Sequence, residues 1–236
     1  MTLHAQETRE VAGQEQPEEE QYTMDEIVIS ARGYTKPVSS TPGGVGVVTT
    51  ESIERKEPVS VSDALQDIPG VYKSSDGSWG SEISIRGAGR EKVVLLIDGC
   101  RVNTATDIGA QFGTIQPLSV ERVEVLKGPI SSLYGSGTIG GVVNVITRTG
   151  KFTDTPGFES GIAVSGESNA PGLNTYAFTS YNSTDWYVFA SGGYRVHSDY
   201  KDGDGDTVDN TGFNDAQGTV NLGFKPAPRH TLELRS

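Results

Sequence analysis

Long apolar runs are missing from this sequence. Nowhere does it approach the roughly 20 consecutive apolar residues of a membrane helix. That excludes helical spanning but not strands, whose alternation over about 10 residues gives only a weak hydropathy signal. Cysteine is nearly absent. Cys100 stands alone, so no internal disulfide can form. It lies in an apolar run with no base beside it and reads as a small packing residue, not a reactive thiol. Positive charge is short: Lys and Arg number 19 against 31 Asp and Glu, a formal charge of −12. Such a chain lacks the basic stripe that nucleic acid requires. His4, His197 and His230 are too scattered for a zinc constellation. His197, at the mouth of a long polar stretch, reads as a surface histidine. A basic n-region and an apolar core of about 7–15 residues are also absent. The opening residues 1–7 read as the remainder of a processed or misassigned leader, and export is expected.

Glycine is plentiful, at 30 residues, and it concentrates where the chain is most patterned. Residues 121–150 read ERVEVLKGPISSLYGSGTIGGVVNVITRTG. Val123, Val125 and Leu126 form a β-type run that stops at Gly128-Pro129. A second run, Val142–Thr147, follows Gly135, Gly137, Gly140 and Gly141. Residues 135–140 fit G-x-G-x-x-G, the dinucleotide string. That string needs a helix after it and an acid about 20 residues on. Here the glycines lead into β-branched residues, so a soluble nucleotide-using enzyme is the weaker alternative. The glycines are expected instead to let the backbone pass close to another wall.

Residues 1–24 are polar and acidic and are expected to be disordered. Asp25–Ala31 is a short alternating segment that can add to the edge of a partner's sheet. The other reading makes it the first strand of the next domain. Val45–Thr49 is a strand, and Thr49 or Thr50 can cap a helix around Glu51–Arg55. Val61–Ile68 is a second short helix, stopped by Pro69-Gly70. Glu82–Gly87 alternates, and Val93–Ile97 is a buried strand ending in an Asp98-Gly99 turn. The segments 73–80 and 101–113 read as polar loops between strands, where ligand contacts concentrate.

These words resemble the plug domain of the TonB-dependent outer-membrane receptors. The resemblance is carried by ERVEVLKGP and LYGSGTIGGVVNVIT within 121–150. It extends to the V-x-D-A-L…P-G-V pattern over Ser60–Val71, Ile83-Ser84-Ile85-Arg86-Gly87, and Val93–Gly99. It implies that residues 32–150 form an α+β plug of about four strands and two or three short helices. It implies that Asp25, Glu26, Ile27, Val28, Ile29, Ser30 and Ala31 are a TonB box bound by the C-terminal domain of TonB. Ser75, Asp76, Ser78, Trp79, Asn103, Thr104, Asp107 and Gln111 would then lie on plug loops facing the solute, although Trp79 reads equally well as an anchor on the barrel wall. Arg86, Glu121, Arg122 and Glu124 would dock the plug on that wall. They are not read as acid–base catalysts, and no enzyme activity is expected.

After Gly150 the texture changes. Phe158, Ser160, Ile162 and Val164 alternate with Glu159, Gly161, Ala163 and Ser165. Further strands are expected over 173–181, 185–197 and 216–224, with a fifth beginning at Leu232. Connections that are alternately short and long, following a plug, point to an outer-membrane barrel rather than a soluble sandwich. Short turns would be periplasmic and long loops extracellular. Residues 151–236 cannot close one: eight strands of about 9–11 residues would use nearly all of them without loops. The resembled family closes with about 22 strands. The fold class is therefore an α+β plug followed by antiparallel β-strands of an incomplete transmembrane β-barrel, from a fragment or a truncated frame, with an aggregation-prone edge.

The implied function is TonB-coupled uptake of a scarce solute across the outer membrane, with outer-membrane lipid around the barrel and the plug and box on the periplasmic side. The solute is a ferric siderophore first, then haem, which His197 could touch, or cobalamin. The alternative is a non-transporting adhesin or signalling receptor of the same architecture. No cofactor is expected. One metal candidate stands apart, because Asp202, Asp204, Asp206 and Asp209 place hard oxygen ligands for Ca²⁺ at close spacing. The string fails as an EF-hand, with Thr207 where Gly is required and Phe213 where Glu belongs. A solvated acidic loop is the competing reading.

Overall fold

The computed structural model describes residues 28–29, 36–37, 44–75, 77, 80–89, 92–102, 110–129, 134–227 and 230–236. An α+β module is followed by a sheet of long antiparallel strands, as expected. Strands β1 (Val28–Ile29) and β2 (Lys36–Pro37) pair antiparallel ahead of the module. The module itself contains β3 (Gly44–Thr49), α1 (Thr50–Lys56), α2 (Val61–Ala64), a 3-10 turn at Leu65–Asp67, β4 (Val71–Ser75) and β5 (Ser81–Ile85). It continues through β6 (Val93–Ile97), β7 (Cys100–Arg101), 3-10 turns at Ala110–Thr114 and Pro117–Ser119, β8 (Val120–Lys127) and β9 (Gly141–Thr147).

One sheet runs in the order β3-β8-β9-β6-β7, with only β6 and β9 parallel. Its central strands are β-branched because both faces are covered. Val123, Val125, Val143 and Val145 pack with Ile53, Leu65, Ile68 and Ile85. On the other face Val94, Leu96 and Val142 form a second cluster. Each such side chain contributes about 1.5–3 kcal/mol on burial. The Asp98-Gly99 turn carries φ values of 48° and 79°, the left-handed pair that a two-residue hairpin needs.

Two sequence expectations change here. Lys73, Ser74 and Ser75 belong to β4, which pairs with β5 from Val71↔Ile85 to Ser75↔Ser81. Read alone they lack apolar alternation, and only their partner, with Ile83 and Ile85 buried, makes them a strand. The glycines before β9 do serve close approach, but to the plug itself. A Cβ on Gly141, whose φ is +148°, would sit 2.2 Å from the Leu126 carbonyl oxygen, and one on Gly140 would sit 3.0 Å from that of Lys92. The close approach to the barrel falls later, at Gly150.

Strands β10 (Gly157–Glu167), β11 (Gly172–Asn182), β12 (Trp186–His197), β13 (Phe213–Ala227) and β14 (His230–Arg235) pair in sequence order, all antiparallel. Residues 183–185 and 228–229 connect them at one end, 168–171 and 198–212 at the other. Alternation is strict. Phe158 and Ile162, each 81% exposed, point outward with Val164, Val188, Val220, Leu222 and Leu234. Phe158, Tyr181 and Trp186 adjoin at ring separations of 4.9 and 4.7 Å near the short-turn end. An exposed apolar face ending in aromatics is that of a strand set in lipid. Gly141→Ala is expected to lower plug stability by about 2–3 kcal/mol, read as a lower urea midpoint.

Candidate functional site

The inward face of β11–β13 mixes polar residues with the rings of Tyr176, Phe178, Tyr187 and Phe189, and the plug rests on it. Pairing places Asn174, Arg195 and Asp215 side by side in one row, and Tyr176, Gly193 and Gln217 in the next. Arg195 is 1% exposed. Its guanidinium donates to the carbonyl oxygens of Val59 at 3.3 Å and Gly113 at 3.1 Å, and to Asp215 Oδ2 at 3.0 Å. Gln116, also buried, donates from Nε2 to Asn174 Oδ1 at 2.6 Å and to the Thr175 carbonyl at 3.2 Å. Gln217 donates to the Thr114 carbonyl.

Nearer the short turns, Tyr187 fills a slot. A Cβ on Gly150 would lie 2.3 Å from its ring, and one on Gly223 2.1 Å. Phe152 packs edge-on against the same ring at 5.0 Å, and Lys225 Nζ lies 4.1 Å from the Phe152 centroid. The linker between plug and barrel is thereby seated on the wall. Arg148 bridges the two layers, with NH2 2.6 Å from Glu54 Oε1 and its guanidinium 5.4 Å from the Phe178 centroid. On the far side, a cavity of about 900 Å³ separates the β6–β7 hairpin from β13 and β14. Asp98, Asp215 and Glu233 line it, and Arg235 NH1 lies 3.5 Å from Asp98 Oδ1. Cys100 also lines it and is exposed, so it is not the packing residue the sequence implied.

Three of the expected docking charges pair with one another along β8. Arg122 Nε donates to Glu124 Oε1 at 3.0 Å, and Arg122 NH1 to Glu121 Oε1 at 3.3 Å, all on β8. Glu124 is fully buried and also accepts from Asn144 Nδ2 at 3.3 Å. Glu121 also lines a cavity shared with Glu159, Phe178, Ser180 and Phe189 of β10–β12. Arg86 occupies a turn with φ 52°, its backbone N–H on the Gly70 carbonyl at 2.8 Å. It lies near Lys127, whose ammonium is pushed down by burial and then by Arg86. Thr50 does not cap α1; its hydroxyl donates to the Glu121 carbonyl. Glu51 in that first turn is held below the usual carboxylate range, chiefly by a hydrogen bond from Thr49.

The solute-facing set is only partly in view. Ser75 ends β4 and Gln111 lies in the 3-10 turn 110–114. Asp76, Ser78, Trp79, Asn103, Thr104 and Asp107 lie outside the described residues, as do Asp25, Glu26, Ile27, Ser30 and Ala31 of the box segment. Val28 and Ile29 pair with Pro37 and Lys36. The residues 135–140 lead into β9, not a helix, and Arg101 NH1 donates to the Tyr134 and Ser136 carbonyls at 3.2 and 3.0 Å. That overturns the nucleotide reading.

The aspartate-rich loop is tied to its own backbone. Asp202 Oδ1 accepts the amides of Asp204 and Asp206, each at 3.0 Å. Among the described residues no group of three or more acids, histidines or cysteines converges to hold a metal. Asp202, Asp204, Asp206 and Asp209 are not gathered into such a group here. The organising carboxylate is Asp199, which accepts from Thr211 N at 2.7 Å and Gly212 N at 2.6 Å. Those amides hold it below the usual carboxylate range. His197 below the loop is buried, stacked 4.9 Å from Phe213 and 3.3 Å from Glu167 Oε2, not on the surface as expected.

Comparison with known proteins now decides the class: the pattern of the TonB-dependent Receptor Plug Domain matches residues 37–142. Residues 37–142 are thus a plug domain of the TonB-dependent receptor type. The chain is 38% identical over 133 residues to an iron-regulated outer membrane virulence protein of Vibrio cholerae, covering 53% of this chain and 20% of that one. It is 33% identical over 178 residues to a vitamin B12 transporter, BtuB, of Vibrio vulnificus, covering 75% and 27%. Among solved structures it is similar in fold to the copper transporter OprC, with TM-score 0.70 and 23% identity over 81% of this chain and 29% of that one. The chain thus spans about a fifth to a quarter of the length of these curated relatives. The apolar outer face of β10–β14 suits the outer membrane named for the Vibrio cholerae relative.

Sequence reasoning missed Arg195, Gln116, Gln217 and Tyr187. The available signal was Arg195 itself, the only Lys or Arg of β12, at an inward position. Two outcomes are expected. Arg122→Ala removes the cation paired with the buried Glu124 carboxylate and is expected to cost about 3–5 kcal/mol, read by thermal melting. A lowered carboxyl supports the fold above its unfolded pKa and loses that support as pH falls through the folded value. Protection of the Thr211 and Gly212 amides, corrected for intrinsic exchange rates, is therefore expected to fall on acidification in the parent and to be absent at neutral pH in Asp199→Asn.

Proposed function

We propose that this chain supplies the plug and first barrel strands of a receptor that takes a scarce solute across the outer membrane by TonB-coupled transport. One observation carries the reading: a folded module sits on the inner face of a sheet whose outer face is apolar and exposed. Such a module blocks a lumen, and a blocked lumen needs work to open. The contacts between module and wall are mostly hydrogen bonds to neutral groups, each worth about 0.5–1.5 kcal/mol net. That is a grip a pull can loosen. Asp25–Ala31, extended at Val28–Ile29, suits strand addition by the C-terminal domain of TonB. The 198–212 side would face outward and the short turns the periplasm.

For the solute we favour a ferric siderophore, then haem, then cobalamin. A relative named for iron regulation and another named as a vitamin B12 transporter support this class of metal chelate. Deleting Asp25–Ala31 from the full-length gene product is expected to abolish energy-dependent uptake while leaving the protein in the membrane. Uptake that survives the deletion overturns the reading in favour of a receptor that does not transport. A growth panel on ferric enterobactin, haem and cyanocobalamin is expected to select one of them.

A further inference from the structure

We propose that Arg195 is a positioning residue: held by Asp215 on the wall, it pins the 3-10 turn at Ala110–Thr114 and so sets the receptor's affinity for a solute it does not touch. The inference rests on the receptor reading and names a control point within it.

The argument begins with geometry. Three neighbouring strands each send one grip to the same short stretch of plug. From β11, Asn174 and the Thr175 carbonyl take Gln116; from β12, Arg195 takes the Gly113 carbonyl; from β13, Gln217 takes the Thr114 carbonyl. The notch is cut to fit. A Cβ on Gly193 would stand 3.0 Å from Gln116 Nε2 and 3.0 Å from the Thr175 carbonyl, so Gln116 enters the wall only because residue 193 has no side chain. On its plug side the same stretch is fastened by buried Phe112 and Ile115. Residues 112–116 are thus clamped from both faces.

Arg195 reaches further than the other grips. Its second donor holds the Val59 carbonyl, next to the start of α2. Its guanidinium lies 5.4 Å from the ring centroid of Phe213, where the 198–212 loop rejoins the barrel. One buried cation therefore joins the helical side of the plug, the 3-10 turn at Ala110–Thr114 and the base of the 198–212 loop.

Charge decides what kind of joint this is. The anion balancing Arg195 is Asp215, also on the barrel, so the ion pair belongs wholly to the wall. The plug offers only carbonyl dipoles. When the plug shifts at this joint, the Arg195–Asp215 pair stays intact and neither charge is left buried alone, which is the costly event in such contacts. Water or another carbonyl can replace Gly113 and Val59. The joint holds position at modest cost and can be released.

The test reads position and affinity separately, in the full-length receptor in outer-membrane vesicles. A nitroxide is attached at Thr114→Cys in a Cys100→Ser background, with a control label at Ser168→Cys. Arg195→Gln and Asp215→Asn are each expected to shorten the rotational correlation time of the 114 label by about threefold and to leave the 168 label unchanged. Arg195→Lys, which keeps the charge but not the fork, is expected to fall between. Binding of ⁵⁵Fe-labelled ferric enterobactin is expected to weaken about tenfold in Arg195→Gln. An unchanged 114 spectrum, or equal loosening at 168, overturns the inference. If Arg195→Gln fails to reach the membrane, Gly193→Ser, which crowds the Gln116 notch from outside, gives the same readout. A parent that binds no enterobactin counts against the siderophore reading alone, and the label still decides the role of Arg195.

Discussion

Everything in this structure follows from the two-faced strand. Lipid forces apolar side chains outward on β10–β14, and a period of two then forces every other residue into the lumen. The inward rows set Asn174, Ser191, Arg195, Asp215, Gln217, Thr219 and Asn221 among the rings of Tyr176, Phe178, Tyr187 and Phe189. A plug lodged against such a surface cannot be held by a shared hydrophobic core. It must be held by hydrogen bonds, by rings seated against glycine, and by a few charges. Its own core is kept separate, behind β8 and β9.

Much of this was readable in advance, and the reason is periodicity. Val93–Ile97, Val123–Leu126 and Val142–Thr147 announce themselves because buried strands are apolar and β-branched. The barrel strands announce themselves by alternation, and the Asp98-Gly99 turn by its chemistry. The interface was not readable. Arg195, Gln116 and Gln217 grip main-chain carbonyls, and a carbonyl has no letter in the sequence. Arg86, Glu121, Arg122 and Glu124 drew attention because charge in a strand looks purposeful, yet the purpose of Glu124 is to be paired inside the plug sheet. β4 went unseen for a related reason: a polar strand is recognisable only beside its partner.

Glycine was legible as a class but not by destination. Gly141 and Gly140 make room for the plug's own strands, Gly150 and Gly223 for one tyrosine ring, and Gly193 for one glutamine. Each absence of a Cβ answers a specific neighbour. The aspartates of 198–212 show the same limit. Their number drew notice, but Asp199, outside the repetitive string, organises the loop.

Strand order has a mechanical meaning. β3 is the edge of the plug sheet and the first of its strands to leave the N-terminal segment, joined along one side only, to β8 from Gly44↔Lys127 to Thr49↔Arg122. The chain's other anchor is at the opposite end, where Gly150 lies against Tyr187. Tension entering ahead of Gly44 meets a single seam before it meets β8, and it meets β9 and β6 only after that. The plug sheet thus has a singly joined strand on its N-terminal side and its exit seated against a ring of the wall.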